Sequence, residues 1–202
     1  MATVVIASRN EHKIQEIRQL LADLDIDVLS LEDFTDAPEV EEDGDTFEAN
    51  ALKKARSIAE YTKLTTLADD SGLEVDILGG QPGVHSARFA GESATDGENN
   101  AKLLRLMEGV PEKAKTARFR CVIALVSRHG IEELVEGSCP GAIIDQPRGD
   151  GGFGYDPLFL VPELGQTFAE LSSDGKNYIS HRGRALQRML PIMRQWLAQG
   201  WI

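Results

Sequence analysis

The strongest constraint on the fold is the alternation of short β-branched runs with segments of helical periodicity. Thr3–Ala7 is typical of a buried strand, and from Glu11 apolar residues recur at helical spacing. The same signals predict further strands at 64–68, 73–78, 116–127 and 131–144, and helices at 46–61, 96–108 and from 180 past 196. This mixture, with a hairpin turn at 128–130, predicts an α/β fold with a mixed sheet. The 202 residues suit a single domain over 1–202.

The charge of the chain is unevenly distributed. It has 33 acidic and 21 basic residues, a net charge of −12, and twelve of the acids lie between positions 19 and 52 with no Lys, Arg or His among them. No acidic residue follows Asp174, whereas five Lys and Arg residues do. An acidic balance disfavours a nucleic-acid polymer as partner, because binders of the phosphate backbone are normally basic.

Composition and motifs exclude several other classes. No run of about 18 apolar residues predicts a membrane span, and no basic region precedes the first apolar run as in a secretory signal. Two cysteines are too few for a disulfide framework, so a reducing cytoplasm is the expected location. Cys121 is predicted to be buried, whereas Cys139, before Pro140, could be partly exposed. Phosphate-loop, serine-elbow and HExxH motifs are absent from the sequence.

The first polar cluster follows the first strand. Ser8, Arg9 and Asn10 form a predicted turn with Asn10 as helix N-cap, and Lys13 lies one helical turn further on. A helix N-terminus with an ammonium and a hydroxyl suits a phosphate group. The alternative is a capped surface helix without a ligand.

Two acidic clusters follow. Asp69 and Asp70 stand at the predicted end of a strand, and 41–45 is an acidic stretch before the second helix. Neighbouring carboxylates repel each other unless they are solvated, paired or bound to a cation, and oxygen ligands suit Mg²⁺. A solvated loop is the alternative for 41–45.

The last cluster combines a glycine-rich loop at 151–156 with Lys176 and the sequence Ser-His-Arg-Gly at 180–183. Aromatic rings and hydrogen-bond donors of this kind can stack on a base and contact its edge. The alternative is a glycine-rich loop with core aromatics, followed by an N-capped helix.

Five blocks occur along the sequence in this order: VVIASRNEHKIQEI, EEDGDTFEANALKKA, ADDSGL, GGFGYDP and SHRG. Through these blocks, the sequence resembles the non-canonical purine nucleoside triphosphate pyrophosphatases, or dITP/XTP house-cleaning hydrolases. The resemblance covers nearly the whole chain. It implies an α/β homodimer with an elongated mixed β-sheet flanked by helices and two lobes around a nucleotide-binding cleft. It also implies Mg²⁺-dependent hydrolysis of ITP, dITP or XTP to the monophosphate and pyrophosphate.

The resemblance also implies roles for residues at matching positions. Asp70 would be the catalytic base and, with Glu42, a Mg²⁺ ligand, and Asp69 would support it. The expected substrate contacts are Ser8, Arg9, Asn10, Lys13, Lys54, Ser71, Phe153, Gly154, Tyr155, Asp156, Lys176, His181 and Arg182. Ala49 departs from the family pattern, in which a glutamate often stands at this position, and Glu48 cannot replace it because one helical position rotates a side chain by about 100°.

Two alternatives remain open from the sequence. The first is a related pyrophosphatase that acts on modified pyrimidine or methylated nucleotides, but ADDSGL and SHRG favour the purine enzymes. The second is a nucleotide-sensing module without catalysis. The presence of both Glu42 and Asp70 disfavours it, because a pure binder has less need of a metal-bound base.

Overall fold

The computed structural model of the chain describes residues 2–202. Its helices are α1 (Glu11–Leu21), α2 (Phe47–Thr62), α3 (Asp96–Met107), α4 (Ser173–Ile179) and α5 (His181–Gln199). Its strands are β1 (Ala2–Ile6), β2 (Ile26–Ser30), β3 (Thr65–Val75), β4 (Thr116–Val126), β5 (Glu132–Ile143), β6 (Phe159–Val161) and β7 (Gln166–Thr167). The α/β fold class is therefore confirmed, and helices flank a mixed sheet.

The sheet has the strand order β2-β1-β3-β4-β5-β6-β7. β1 pairs in parallel with β2 and with β3, in registers that place Val4 opposite Val28 and Thr65. β6 is antiparallel to both β5 and β7. Parallel pairing at one edge and antiparallel pairing at the other make the sheet mixed, as the sequence predicts.

The chain divides into two compact units. Unit 1 takes in the chain up to Asp70, Cys121–Gly137 and Arg182–Ile202, and unit 2 consists of Ser71–Arg120 and Ser138–His181. Each unit has its own apolar core. In unit 1 the core joins the faces of α1 and α5 to β1, β3 and β4, with Ile17, Leu67 and Met189 fully buried.

The core of unit 2 is built around aromatic rings. The Phe119 and Phe159 rings meet edge to face with centroids 4.7 Å apart, and the Phe119 and Phe168 rings stack at 5.6 Å. Cys139 belongs to this core and is buried, so the expectation of partial exposure is wrong. The burial predicted for Cys121 is confirmed, and both thiols are free.

The structure corrects the prediction for the segment around Asp69 and Asp70. The sequence pattern predicts one strand that ends at 68 and another that begins at 73, whereas β3 runs unbroken over Thr65–Val75. The two aspartates therefore lie inside a buried strand. Strand propensity and burial both disfavour carboxylates there, and their ion pairs and hydrogen bonds compensate for this cost. Three elements are not predicted from the sequence: β2, which lies inside the acidic stretch, the short strand β7 and helix α4.

A membrane-spanning helix is not found among residues 2–202, since none of the helices there is both long and apolar enough.

Candidate active site

The turn after β1 has the geometry that its sequence predicts. The Asn10 side chain accepts a hydrogen bond from the Lys13 backbone N–H at 3.1 Å, which makes Asn10 the N-cap of α1. The Ser8 hydroxyl accepts one from the Asn10 N–H, also at 3.1 Å. Arg9 donates to the Ala37 carbonyl at 3.1 Å and so ties the turn to the acidic segment. This turn presents a helix N-terminus, which favours an anion.

Asp69 is a buried acceptor surrounded by cations of unit 1. Its Oδ2 atom lies 3.2 Å from Lys13 Nζ and 3.0 Å from Arg182 Nη2. Burial by itself would raise the pKa of Asp69. The positive charges of Lys13, Arg182 and Lys54 outweigh it and hold that pKa far below its usual range. Asp69 therefore stays ionised and fixes the cations around it.

The start of α2 holds Asp70 through Asn50. Asn50 accepts a hydrogen bond from the Gly44 N–H at 2.8 Å and donates to Asp70 Oδ2 at 3.0 Å. A Cβ atom on Gly44 would lie only 2.6 Å from Asn50 Oδ1. The glycine at 44 is thus required by the close approach of Asn50, which connects the acidic loop to the buried carboxylate.

Lys54 and Glu42 complete the surroundings of Asp70. Lys54 Nζ donates to Glu42 Oε1 and, at 2.6 Å, to the Asp69 carbonyl. Burial would lower the pKa of Lys54, but the charges of Glu42, Asp69 and Asp70 raise it, so it remains an ammonium. For Asp70, burial is the main cause and the charge of Glu42 adds to it, and together they raise its pKa to about 6 against the opposing cations.

The chemistry of these donors fits Mg²⁺. Mg²⁺ is typically held by one or two carboxylates and keeps other positions for water or phosphate oxygens. Glu42 and Asp70 are two carboxylates that repel each other, and the charge of Glu42 contributes, after burial, to the raised pKa of Asp70. Within residues 2–202, no three His, Cys, Asp or Glu side chains are grouped as a metal-ligand cluster, so the protein would supply only part of a coordination shell.

The glycine-rich loop at 151–156 in unit 2 closes on its own aspartate. Asp156 Oδ2 accepts from the Phe153 N–H at 2.9 Å and from Lys176 Nζ at 2.6 Å. A Cβ atom on Gly152, which has a φ of +72°, would lie 2.1 Å from that same oxygen. The Lys176 ammonium also stands 4.8 Å from the centre of the Phe153 ring. Phe153, Asp156 and Lys176 thus form one contact group.

Two further candidates of this region, Tyr155 and His181, are held in the core. Tyr155 is buried, and its hydroxyl donates to the Ser86 carbonyl at 2.8 Å. The His181 ring is buried and stacks on Phe119, with centroids 4.7 Å apart. Of the two aromatic residues in the loop, Phe153 is therefore the more accessible one.

Several predicted site residues come together within each unit. Unit 1 joins the turn at 8–10 to Lys13, Glu42, Lys54, Asp69, Asp70 and Arg182. Unit 2 joins Phe153, Gly154, Tyr155, Asp156, Lys176 and His181, whereas Ser71 lies half-buried in β3. The Arg182 guanidinium donates to Asp69 and Glu16, and its contact with a nucleobase stays a prediction.

Two residues of the site, Asn50 and Glu16, are not predicted from the sequence. Asn50 is fully buried in an otherwise apolar helix face, next to Ala51. An asparagine within the stripe of small apolar residues on α2 is the sequence signal that could have indicated this role, because a buried polar side chain needs a hydrogen-bond partner. Glu16 lies on α1 one turn after Lys13, but nothing in its spacing indicates that its partner is Arg182.

Comparison with known proteins identifies the family of the chain. The family model for the Ham1 family matches residues 4–192. The chain belongs to the Ham1 family. The dITP/XTP pyrophosphatase of Geobacter sulfurreducens is 58% identical over 186 residues, which cover 92% of this chain and 94% of that protein. The dITP/XTP pyrophosphatase of Desulforamulus reducens is 55% identical over 192 residues, covering 95% and 96%.

Solved Ham1 structures share the fold over most of the chain. A HAM1 protein from Coxiella burnetii superposes with a TM-score of 0.88 at 43% identity and covers 96% of this chain and 100% of its own. The Ham1 protein of Staphylococcus aureus reaches 0.85 at 38% identity, covering 96% and 98%. The sheet and helices described above are therefore those of the Ham1 family.

Proposed function

We propose that this Ham1-family protein is a nucleoside triphosphate pyrophosphatase. It hydrolyses non-canonical purine nucleotides such as dITP, XTP and ITP to the monophosphate and pyrophosphate, and so removes them from the nucleotide pool. The observation that carries the proposal is the pair Asp69 and Asp70. One carboxylate is held ionised among cations, and its neighbour has a pKa raised to about 6, where it can accept a proton near neutral pH.

Asp70 is assigned the role of general base. Its carboxylate orients a water molecule and takes one proton from it as the oxygen attacks the α-phosphorus. The bond from that phosphorus to the bridging oxygen breaks, and pyrophosphate leaves. Asn50, which donates to Asp70 Oδ2, fixes the direction of the carboxylate. Mg²⁺ held by Glu42 and Asp70 would supply neutralisation of charge on the phosphate oxygens.

The turn after β1 and two lysines are assigned to the phosphates. Asn10 caps α1, and the backbone N–H groups at a helix N-terminus suit an anion such as a phosphate. Lys13 and Lys54 are the ammonium groups near Asp69 and Asp70, and both can donate to the leaving pyrophosphate. Catalysis here depends mainly on position and charge, as in other phosphoryl transfers.

The residues around Phe153 are assigned to the nucleobase. The Phe153 ring can stack on a purine, and Lys176, held by Asp156, is a donor for an oxygen at position 6. Adenine has an amino group there and would leave the donor unpaired, which costs roughly 10⁴–10⁵-fold in sites built this way. Rejection of guanine would have to depend on position 2.

The test is a pyrophosphate-release assay with Mg²⁺ and a panel of dITP, XTP, ITP, ATP and GTP. Turnover of dITP and XTP well above that of ATP and GTP is expected. Asp70→Asn should lower kcat by roughly 10²–10⁴-fold, since it removes the base. Asp45→Asn, which changes an exposed acid in the same acidic stretch, is the matched control. Absence of turnover on dITP, XTP and ITP by the wild-type protein would refute the proposal.

Arg182 has a separate test, since its guanidinium could serve the base or Asp69. We expect Arg182→Ala to lower kcat/KM for ITP and for ATP by the same factor, because its hydrogen bonds go to Asp69 and Glu16. A loss restricted to ITP would assign Arg182 to the nucleobase instead. A homodimer, which the family resemblance implies, is tested by sedimentation equilibrium.

A further inference from the structure

The peptide of Gly154, in the middle of the loop assigned to the nucleobase, is held from both sides by α3. Asp96 Oδ2 accepts a hydrogen bond from the Gly154 N–H at 2.7 Å. Asn100 Nδ2 donates to the Gly154 carbonyl at 2.9 Å. Both polar groups of one peptide residue are thus bound by side chains of one helix, and all of these residues belong to unit 2.

The spacing on α3 explains how one helix can make both contacts. Asp96 and Asn100 are four positions apart, so their side chains lie on the same face of the helix. Asp96 is the first residue of α3, and Asn100 follows one turn later. The two side chains therefore present an acceptor and a donor with a separation suited to one residue's N–H and C=O groups.

The two contacts from Asp96 and Asn100, called the clamp below, hold the loop at Gly154, and other hydrogen bonds hold it on either side. Before Gly154, the Phe153 N–H donates to Asp156 Oδ2 at 2.9 Å. After it, the Tyr155 hydroxyl donates to the Ser86 carbonyl at 2.8 Å. Gly154 itself has a φ of +61°, and a Cβ atom there would meet nothing within 4 Å, so the space beside its α-carbon is open. The hydrogen bonds from Asp96 and Asn100 are therefore well placed to fix its peptide.

We infer that Asp96 and Asn100 are positioning residues that set the Gly154 peptide and, through it, the Phe153 ring against which the nucleobase stacks. This inference rests on the proposed function for its consequence in catalysis. A loop fixed before the substrate arrives need not be ordered by binding, which improves the affinity for the base without changing the reacting atoms. Loss of the clamp should therefore raise KM and leave kcat nearly unchanged.

The experiment compares Asp96→Ala, Asn100→Ala and the double variant with Asp96→Asn. Asn at 96 keeps an acceptor oxygen for the Gly154 N–H, so it should behave like the wild type. For dITP, KM should rise about three- to tenfold in each alanine variant and more in the double variant, with kcat within about twofold, as expected for loss of single hydrogen bonds. Glu98→Ala is the matched control.

Glu98 is suitable because it lies on the same first turn of α3 without touching the loop. Its carboxylate accepts from the Thr95 N–H at 2.8 Å and completes the capping box of the helix. Glu98→Ala therefore weakens the helix end but leaves the two contacts to Gly154. If Glu98→Ala raised KM as much as Asp96→Ala, the effect would come from the helix end, and the inference would be overturned.

Amide hydrogen exchange gives a second measurement that does not depend on activity. Exchange of the 151–156 segment should accelerate in Asp96→Ala and in the double variant, and should match the wild type in Asp96→Asn. Unchanged exchange in the double variant, or unchanged KM with faster exchange, would overturn the inference. If the wild type turned over none of the purine substrates, the proposed function would fail, and the exchange data would still decide whether the clamp exists.

Discussion

At the scale of single residues, Asp69 and Asp70 differ because a strand points successive side chains to opposite faces of the sheet. Asp69 meets Lys13 of α1 and Arg182 of α5, whereas Asp70 meets Asn50 of α2. The charges of Lys13 and Arg182 keep the pKa of Asp69 low, and burial with Glu42 nearby raises that of Asp70. One dipeptide thus supplies an anchor and a base.

The raised pKa of Asp70 predicts how the stability of the metal-free protein depends on pH. Its pKa is about 6 in the folded state against an ordinary value of 3.8, so the folded state binds a proton more readily than the unfolded state. From this group, the free energy of unfolding falls as pH rises from about 4 to about 6, and it stays lower above that. Asp70→Asn should remove this loss.

Thermal and urea unfolding in EDTA at pH 4, 6 and 8 measure the effect. We expect Asp70→Asn to exceed the wild type on the order of 2–3 kcal/mol at pH 8 and to match it near pH 4. Asp45→Asn, at an exposed acid, should stay within about 0.5 kcal/mol throughout. An Asp70→Asn variant that is no more stable than the wild type at pH 8 would contradict the raised pKa.

A second prediction concerns Arg182 and the free energy of unfolding that is lost when a buried ion-pair network is broken. Its side chain is 1% exposed and binds Asp69 and Glu16, so Arg182→Ala removes one ion-pair partner from each of two carboxylates, although Asp69 keeps Lys13. Breaking such pairs costs about 3–5 kcal/mol. Urea denaturation of Arg182→Ala beside Arg184→Ala, an exposed arginine on the same helix, should show this loss only at 182.

At the scale of elements, the start of α2 links the acidic loop to β3. Asn50 is the connecting residue, and it can approach Gly44 only because position 44 has no side chain. The sequence predicted α2 to within one residue, and it predicted Asn10 as the N-cap of α1, since caps and helical periodicity are local signals. Asn50 was missed, because its partners are 6 and 20 residues away.

Gly44→Ala is the prediction that belongs to this element. The added Cβ atom would lie 2.6 Å from Asn50 Oδ1 and must displace the amide that holds Asp70. We expect kcat for dITP to fall about tenfold, through lost positioning. Gly97→Ala on α3 is the control, because its Cβ atom would have space and should be neutral or slightly stabilising. Equal activities of the two variants would contradict the role given to Asn50.

Strand boundaries were predicted less well than helices. The sequence pattern stopped β3 at the carboxylates, since nothing local indicates that Lys13 and Arg182 compensate for Asp69. β2 was missed because Asp27 interrupts its apolar run, although its register with β1 is regular. Tertiary pairing therefore decided both strands, which is why residue patterns alone misplaced them.

At the scale of the whole molecule, each unit is organised around its own core and its own set of polar residues. In unit 1 the apolar core joins α1 and α5 to the sheet, and the ion pairs of Asp69 connect β3 to the same two helices. In unit 2 the aromatic core includes Tyr155 of the glycine-rich loop. Motif order along the sequence anticipated both sets of residues. The contacts within each set, such as Asp156 with Lys176, came only from the fold.

The net charge of −12 gives the last prediction, which concerns Mg²⁺. Salt of any kind should stabilise so acidic a chain by screening its self-repulsion. Binding of Mg²⁺ at a specific site of the folded protein adds further stabilisation by mass action. At a Mg²⁺ concentration ten times the dissociation constant, the free energy of unfolding rises by about 1.4 kcal/mol, or roughly 3–6 °C in Tm for a chain of this size. The measurement is Tm in MgCl₂ against NaCl of equal ionic strength, without nucleotide.

Variants of Glu42 and Asp70 distinguish the general screening effect of salt from the binding of Mg²⁺ at a specific site. In Glu42→Gln and Asp70→Asn the extra rise in MgCl₂ should disappear, whereas Asp45→Asn removes the same charge and should keep it. Of the acidic residues between 19 and 52, Glu42 would then be a metal ligand. The others would affect stability only through a charge repulsion that any salt screens. An equal rise in all three variants would mean that Mg²⁺ acts on this chain only as a general counterion.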